Sequence, residues 1–113
     1  MSRSTAIYLR TTKRDFADLA YQRTALHDYA GALAYGSLVT YEDYGYPVTD
    51  PARPAFTLLE HDIRDGKVAR VLAMSLYSLG RNTEEVAKWA RFLLDHGTEV
   101  ITMDMPKGGL ANV

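Results

Sequence analysis

Cysteine is absent from this chain of 113 residues. Disulfides and thiolate zinc sites are therefore excluded, and a reducing cytoplasm suits such a chain. No apolar run is long enough for a signal peptide or a membrane span, so no membrane partner is expected. Thirteen basic residues face fourteen acidic ones, and no run of lysine or arginine occurs. Because non-specific DNA affinity comes largely from phosphate neutralisation, the chain is expected to bind a duplex only weakly by itself.

Recognised metal and cofactor patterns are missing as well. His27, His61 and His96 fall on three different predicted helices without ligand spacing, and His96 is expected to compensate a helix dipole. No glycine pattern for a phosphate loop or a dinucleotide follows the first predicted strand. The sequence therefore predicts neither a metal ion nor a cofactor.

Hydrophobic residues make up 47% of the chain, which is enough for one core. Four short apolar or β-branched segments alternate with amphipathic ones. The predicted strands are residues 5–11, 37–42, 68–75 and 98–103. This alternation predicts an α/β fold with three layers, in which helices flank a mostly parallel sheet of four or five strands. We expect one domain over residues 1–105 and a flexible tail over 106–113.

Three helices are predicted from 3.6-residue stripes and end signals. The first covers about 15–34, the second begins at Pro54 and stops near Gly66, and the third opens at Asn82 and stops before Gly97. The apolar stripe of the first helix is Phe16, Leu19, Ala20, Leu26, Tyr29, Ala30 and Leu33. These stripes are assigned to the core and not to a cofactor site.

Two polar stretches follow predicted strands. Tyr8-Leu9-Arg10-Thr11-Thr12 ends the first strand, and the loop after the third strand contains Arg81. Because ligands bind outside the carboxyl ends of strands in open α/β sheets, both stretches should face one crevice. The sequence thus places the Thr12 hydroxyl between two guanidinium groups.

These stretches resemble the N-terminal catalytic domain of the serine recombinases, the resolvases and invertases, from about Ala6 to Met105. In that family a Tyr-x-Arg-x-Ser pattern supplies the serine that attacks DNA, and a later Leu-Asp-Arg-Leu-x-Arg loop surrounds the phosphate. The matching residues here are Tyr8, Arg10, Gln22, Arg53, Pro54, Leu76, Leu79, Arg81 and Asn82. The resemblance implies that Thr12, Arg10 and Arg81 are catalytic. It also implies that Tyr8, Gln22 and Arg53 bind the DNA phosphate.

The residues that depart from the family pattern are at the positions expected to perform the chemistry. Thr12 stands where the family has serine, Tyr77-Ser78 replaces Asp-Arg, and Pro47-Val48 lies near the place of a missing Ser-Gly. A β-branched nucleophile crowds an in-line attack, and each lost transition-state donor costs roughly a hundred-fold or more in rate. We therefore expect the site to be vestigial, with Tyr77 and Ser78 merely filling the space of a lost polar network.

Each candidate also has a purely structural interpretation. Thr12 is a residue type common where a strand ends and a loop begins, and Arg10 could be a solvated charge at the same strand end. Arg53 could be a turn residue beside Pro54, and Arg81 could be an ordinary residue that precedes a helix. A long loop is predicted over residues 42–52, and its tyrosines, with Tyr41, either cover the sheet edge or contact a partner.

Three functions follow as hypotheses. The first is a non-catalytic relative, a pseudoenzyme, that acts as a protein-interaction or regulatory module by associating with itself or with an active recombinase. The second is an active DNA recombinase domain with Thr12 as the nucleophile, which would cut and rejoin strands. The third is a small phosphate-binding or nucleotide-binding domain. The sequence also leaves open whether the chain is a stand-alone module or part of a longer recombinase.

Overall fold

The computed structural model describes residues 3–104. Its elements are β1 (Ser4–Thr11), α1 (Phe16–Ala32), β2 (Leu38–Tyr44), α2 (Pro54–Arg64), β3 (Val68–Ala73), a 3-10 turn (Leu76–Ser78), α3 (Thr83–Asp95) and β4 (Glu99–Thr102). All four strands are parallel and lie in the order β2-β1-β3-β4. The predicted α/β class, with a parallel sheet between helices, is confirmed.

β1 lies between β2 and β3, so its carboxyl end is the middle of the sheet edge where polar residues collect. Arg10 pairs with Asp43 and Thr11 with Tyr44. The predicted start of the long loop at residue 42 is therefore wrong. Backbone pairing with β1 carries β2 to Tyr44, and the loop begins only at Gly45.

Helices cover the two faces of the sheet unequally. α1 packs alone on one face, and α2 and α3 share the other. The first core contains Ile7, Leu9, Leu19, Leu26, Ala30 and Leu72. The second core contains Ala6, Tyr8, Tyr41, Phe56, Leu59, Ile63, Val68, Val71, Ala73, Leu79, Trp89, Leu93 and Val100. The central strand β1 is buried from both sides, as its apolar run predicted, whereas Val39, Thr40 and Glu42 of the edge strand β2 are exposed.

Two members of the predicted α1 stripe are not in the core. Phe16 is 70% exposed and Leu33 is 48% exposed, because they lie at the two ends of the helix. Phe16 packs edge-on against Tyr44 outside the sheet, with the ring centroids 6.1 Å apart. Gln22, a polar residue, is buried on this stripe instead.

Helix ends agree closely with the predicted signals. Asn82 accepts a hydrogen bond from the Glu85 amide at 2.9 Å and caps α3. Gly66 and Gly97 follow α2 and α3 with φ of +74° and +65°, a backbone conformation that glycine adopts without penalty. α1 ends two residues before the predicted residue 34, because Ala34 has a φ of 53° and lies outside the helix.

The predicted tail, residues 106–113, lies outside the described residues, as do residues 1, 2 and 105. Within residues 3–104, no helix has the length and apolar character that a membrane span requires. His27, His61 and His96 lie on separate elements, and His96 follows α3 as its C-cap.

Neighbouring leucines of α2 provide a test of this packing. Leu59 is completely buried, whereas Leu58 is 53% exposed. Leu59→Ala should lower the free energy of unfolding by about 2–5 kcal/mol, since it leaves a cavity. Leu58→Ala, the matched control, should change it by less than about 0.5 kcal/mol. Urea denaturation followed by circular dichroism measures both, and equal effects would contradict the assigned face of α2.

Candidate active site

The backbone of Arg10, at the end of β1, is held in place by the side chain of Gln22. The Gln22 amide of α1 is buried and forms two bonds to this residue: its Oε1 accepts from the Arg10 N–H at 3.2 Å, and its Nε2 donates to the Arg10 carbonyl at 2.9 Å. Gln22 Nε2 also donates to Asp18 at 3.2 Å. Gln22 therefore holds the end of β1 against α1, and its amide is engaged with the protein.

The Arg10 guanidinium joins three separate loops. Nη1 donates to the Thr12 hydroxyl at 3.0 Å and to the Tyr46 carbonyl at 3.2 Å, and Nη2 donates to the Tyr77 carbonyl at 3.2 Å. Nε donates to the Ser78 carbonyl at 3.3 Å. Burial lowers the pKa of Arg10, yet a guanidinium stays charged in proteins. Most of its donors are thus committed to oxygen atoms of the chain.

A buried carboxylate lies one strand away. Asp43 on β2 is completely inaccessible and accepts from the Tyr8 hydroxyl at 2.7 Å. It also accepts from the backbone N–H groups of Ala55 at 2.9 Å and Phe56 at 3.0 Å, in the first turn of α2. Asp43 therefore caps α2 from outside the helix, at the end where the dipole favours negative charge.

Tyr8 connects this carboxylate to Arg53. Burial is the largest cause that raises the pKa of the Tyr8 phenol, and the hydrogen bond and negative charge of Asp43 raise it further. Arg53 Nη1 lies 3.4 Å from the Tyr8 oxygen, the long end of hydrogen-bond range. The phenol is thus a neutral link between a buried anion and a buried cation.

Arg53 is 8% exposed and is used as a structural arginine. Nη1 donates to the Ser78 carbonyl at 3.1 Å, and Nη2 donates to the Leu79 carbonyl at 3.2 Å. Its guanidinium carbon lies 3.9 Å from the centre of the Phe56 ring. Arg53 therefore binds the loop after β3 to the start of α2.

Arg81 stands apart from these bonds. It is exposed, and its Nε pairs with Glu85 Oε2 at 3.0 Å. It borders a cavity of about 360 Å³ that Arg53 also lines. The structure thus bonds Arg10 to Thr12 and Gln22, and Tyr8 to Arg53. Arg81 is not bonded to any of these predicted site residues within residues 3–104 and shares with Arg53 only the lining of this cavity.

Tyr77 does not fill a buried space as expected, because its side chain is 58% exposed, whereas Ser78 is buried. The two residues belong to a 3-10 turn capped by the Ser75 hydroxyl. What the segment contributes is its carbonyl oxygens: those of residues 77, 78 and 79 accept from Arg10 and Arg53. The last carbonyls of a helical turn are free acceptors, which explains why two guanidinium groups gather there.

The Thr12 hydroxyl is exposed, and Arg10 is its one side-chain hydrogen-bond partner within residues 3–104. A threonine nucleophile needs a base that accepts its proton. In the described part of the chain, neither a carboxylate nor an imidazole is bonded to this hydroxyl.

One cluster offers ligand atoms for a metal ion. His61, Asp62 and Asp65 place their ligand atoms within 4.8 Å of one another on the surface at the end of α2. The Lys67 ammonium already lies 3.9 Å from Asp62 and 3.7 Å from Asp65. Asp62 also accepts from the Tyr41 hydroxyl at 2.7 Å. These contacts account for the cluster without an ion.

The family model named "Resolvase, N terminal domain" matches residues 5–110. The chain belongs to the resolvase family. Its fold is that of a serine recombinase catalytic domain. The predicted resemblance is confirmed, and the family is one of DNA recombination.

Solved structures agree with this assignment. The N-terminal catalytic domain of TP901-1 integrase is 24% identical with a TM-score of 0.81, over 90% of this chain and 79% of that chain. A resolvase-family site-specific recombinase from Streptococcus pneumoniae is 24% identical with a TM-score of 0.78, over 91% and 73%. The C-terminal catalytic domain of ISC1926 TnpA, an IS607-like serine recombinase, is 20% identical with a TM-score of 0.81, over 96% and 73%. At these identities the likeness shows the fold. No curated protein matches the chain.

Sequence reasoning missed Asp43 in this resolvase-family domain. The available signal is its place at the carboxyl end of β2, beside Arg10 in the sheet register, whereas the sequence pattern predicts a loop at residues 42–52. The carbonyl acceptors of the 3-10 turn had no side-chain signal at all.

Asp43→Asn tests the buried network. The substitution removes the negative charge that accepts from the Tyr8 hydroxyl and two α2 N–H groups. It should therefore lower the free energy of unfolding by about 2–4 kcal/mol. Glu42→Gln, at an exposed neighbouring position that pairs with Arg23, should cost less than about 1 kcal/mol. Thermal and urea denaturation measure both variants. A loss for Asp43→Asn no larger than the control would show that the network is not important for stability.

Proposed function

We propose that this resolvase-family domain does not cut DNA and acts as a non-catalytic module through contacts with other proteins, associating with itself or with an active recombinase. The observation that carries the proposal is the use of Arg10 and Arg53. The carbonyls of residues 77–79 accept from Nε and Nη2 of Arg10 and from Nη1 and Nη2 of Arg53, where the family pattern has an additional arginine and this chain has Ser78.

Phosphoryl transfer depends on cations aimed at the charge that develops on the phosphate oxygens. Arg53 is nine-tenths buried and donates from Nη1 and Nη2 to the carbonyls of Ser78 and Leu79, so a phosphate would have to compete with these carbonyls for its donors. Arg81 is neutralised by Glu85. Within residues 3–104, Arg10 is the one guanidinium bonded to Thr12, which leaves the hydroxyl with a single cation in the described structure. Together with the β-branch of Thr12, this arrangement supports an inactive site.

The net charge of the domain supports a function that depends on contacts with proteins and not on DNA binding. The formal net charge is −1 at pH 7, so the domain lacks the positive field that draws a duplex. Exposed aromatic side chains, which are typical of protein contacts, are available on its surface: Phe16, Tyr21 and Tyr77 are all more than half exposed.

Covalent attachment to DNA is the direct test. Because the chain has no cysteine, a single Thr49→Cys change can tether a thiol-bearing duplex beside the site. After reduction of the tether, we expect no protein-DNA adduct on a denaturing gel. An adduct that persists after reduction and disappears in Thr12→Ala would instead establish the alternative, a recombinase domain in which Thr12 attacks the phosphodiester and the DNA hydroxyl leaves.

Inorganic phosphate tests the remaining alternative, a small anion-binding domain. Since Arg10 and Arg53 already donate to carbonyls, amide NMR titration at millimolar phosphate should give no saturable shifts at Thr12 or these arginines. Saturable shifts that Arg10→Ala abolishes would support the anion-binding function and contradict ours. Arg91→Ala, which removes an exposed arginine of α3, is the matched control for Arg10→Ala and should leave any phosphate-dependent shifts at Thr12, Arg10 and Arg53 unchanged.

A further inference from the structure

The loop between β1 and α1 contains two exposed cations that are not paired with other groups of the described chain. Within residues 3–104, Lys13 and Arg14 form neither an ion pair nor a side-chain hydrogen bond. Arg64 and Arg91 lack a carboxylate partner as well, but they lie on separate helices. In the described structure, this loop is therefore where two unpaired cations are consecutive.

The carboxylates that follow the loop are held by α1. Asp15 accepts from the Asp18 N–H at 3.0 Å and caps the helix, and Asp18 accepts from Gln22 Nε2 at 3.2 Å. Both carboxylates lie at the helix end where the dipole favours negative charge, so α1 offsets part of that charge. Arg10, at the end of β1, adds a third cation nearby. The positive charge of the loop is thus not cancelled by its own neighbours.

An aromatic pair lies beside the two cations. Phe16 is 70% exposed and packs edge-on against Tyr44. The Arg14 guanidinium carbon lies 5.7 Å from the centre of the Tyr44 ring. These contacts make one continuous surface, which we call the β1–α1 patch; its four defining residues are Lys13, Arg14, Phe16 and Tyr44.

Backbone contacts hold the patch in place. The N–H groups of Gly45 and Tyr46 donate to the Thr11 carbonyl at 3.0 and 2.9 Å, which joins the end of β2 to the end of β1. Gly45 has a φ of +80°, and a Cβ at this position would lie 3.0 Å from Arg14 Cγ. The stem of Arg14 therefore packs closely against this backbone. A surface that is ordered before binding loses less conformational entropy when a partner arrives.

We propose that the β1–α1 patch binds an acidic segment of a partner protein, with carboxylates paired to Lys13 and Arg14 and an apolar side chain packed on Phe16. Charge complementarity selects this partner, because the guanidinium fork matches the two oxygens of a carboxylate. Tyrosine and arginine are also the residue types that supply much of the affinity of protein interfaces. This inference rests on the proposed function, in which the domain acts through protein contacts, and it names the surface and the partner chemistry.

A single strand of nucleic acid matches the patch less well. Base stacking needs an open ring face, and Arg14 and Phe16 already contact the Tyr44 ring, so Phe16 alone is left for a base. A long polyanion is also attracted by the field of the whole domain, whose formal net charge is −1. A short acidic segment needs only the local cations.

The test is an amide NMR titration of the whole chain with the peptide acetyl-Glu-Glu-Leu-Glu-Glu-amide at low salt, since salt screens exposed ion pairs. Saturable shifts are expected at Lys13, Arg14 and Phe16. The peptide in which glutamine replaces every glutamate keeps the shape but loses the charge, so it should bind at least about tenfold more weakly.

Matched variants separate charge from apolar contact. Arg14→Gln should weaken the glutamate peptide about fivefold, whereas Arg91→Gln, which removes an exposed arginine of α3, should leave its binding unchanged. Phe16→Ala should weaken it about threefold. Tyr21→Ala, which removes another exposed aromatic side chain of α1, should have no effect.

Equal binding of the glutamate and glutamine peptides would overturn the proposal, as would unchanged binding to Arg14→Gln. Tighter binding of a short oligothymidine at the same residues would assign the patch to nucleic acid. Patch shifts that depend on protein concentration without peptide would assign it to a second copy of the chain, and both results would contradict an acidic partner. The tethered-DNA adduct reports separately on catalysis, so an active Thr12 would refute the proposed function whether or not the patch binds.

Discussion

The carboxylate of Asp43 is the constraint on which the rest of this structure depends. It is removed from water at the end of β2, and a buried carboxylate is tolerated only when donors surround it. The donors come from the Tyr8 hydroxyl and from two N–H groups of α2. One buried charge therefore fixes the register of β1 against β2 and the starting point of α2.

The site inherits its form from this constraint. Once α2 begins at Pro54, Arg53 lies beside Tyr8 and against the carbonyls of the 3-10 turn. Arg10 reaches the same Ser78 carbonyl from β1. Two cations thus share the negative end of one short turn. An arginine in the turn would add a cation for a bound phosphate. In this chain the turn contributes carbonyl oxygens that accept hydrogen bonds from Arg10 and Arg53.

Much of the fold could be predicted because it depends on the local pattern. Apolar runs such as residues 6–9 and signals such as Asn82 and Gly97 are local, and the strands and helices followed from them. The prediction that Phe16 lies in the core was wrong, because the periodicity of a helix does not show where the sheet beneath it ends. The site was only partly predictable: Arg10 and Thr12 meet within one segment, but Arg53 binds backbone oxygens some 25 residues away, and backbone carbonyls have no sequence signature.

The central position of β1 has a kinetic consequence. Its partners are Leu38–Tyr44 and the strand that begins at Val68, so Ser4 meets its neighbour only after more than sixty residues have been arranged. Contacts so distant in sequence form late and slowly, because loop closure must be completed first. Arg10 and Thr12 lie at the end of this strand. The bond between them is local, but the carbonyls of Tyr46, Tyr77 and Ser78 reach Arg10 only when β2 and β3 have paired with β1. A partly folded chain would therefore contain all of these atoms but no site.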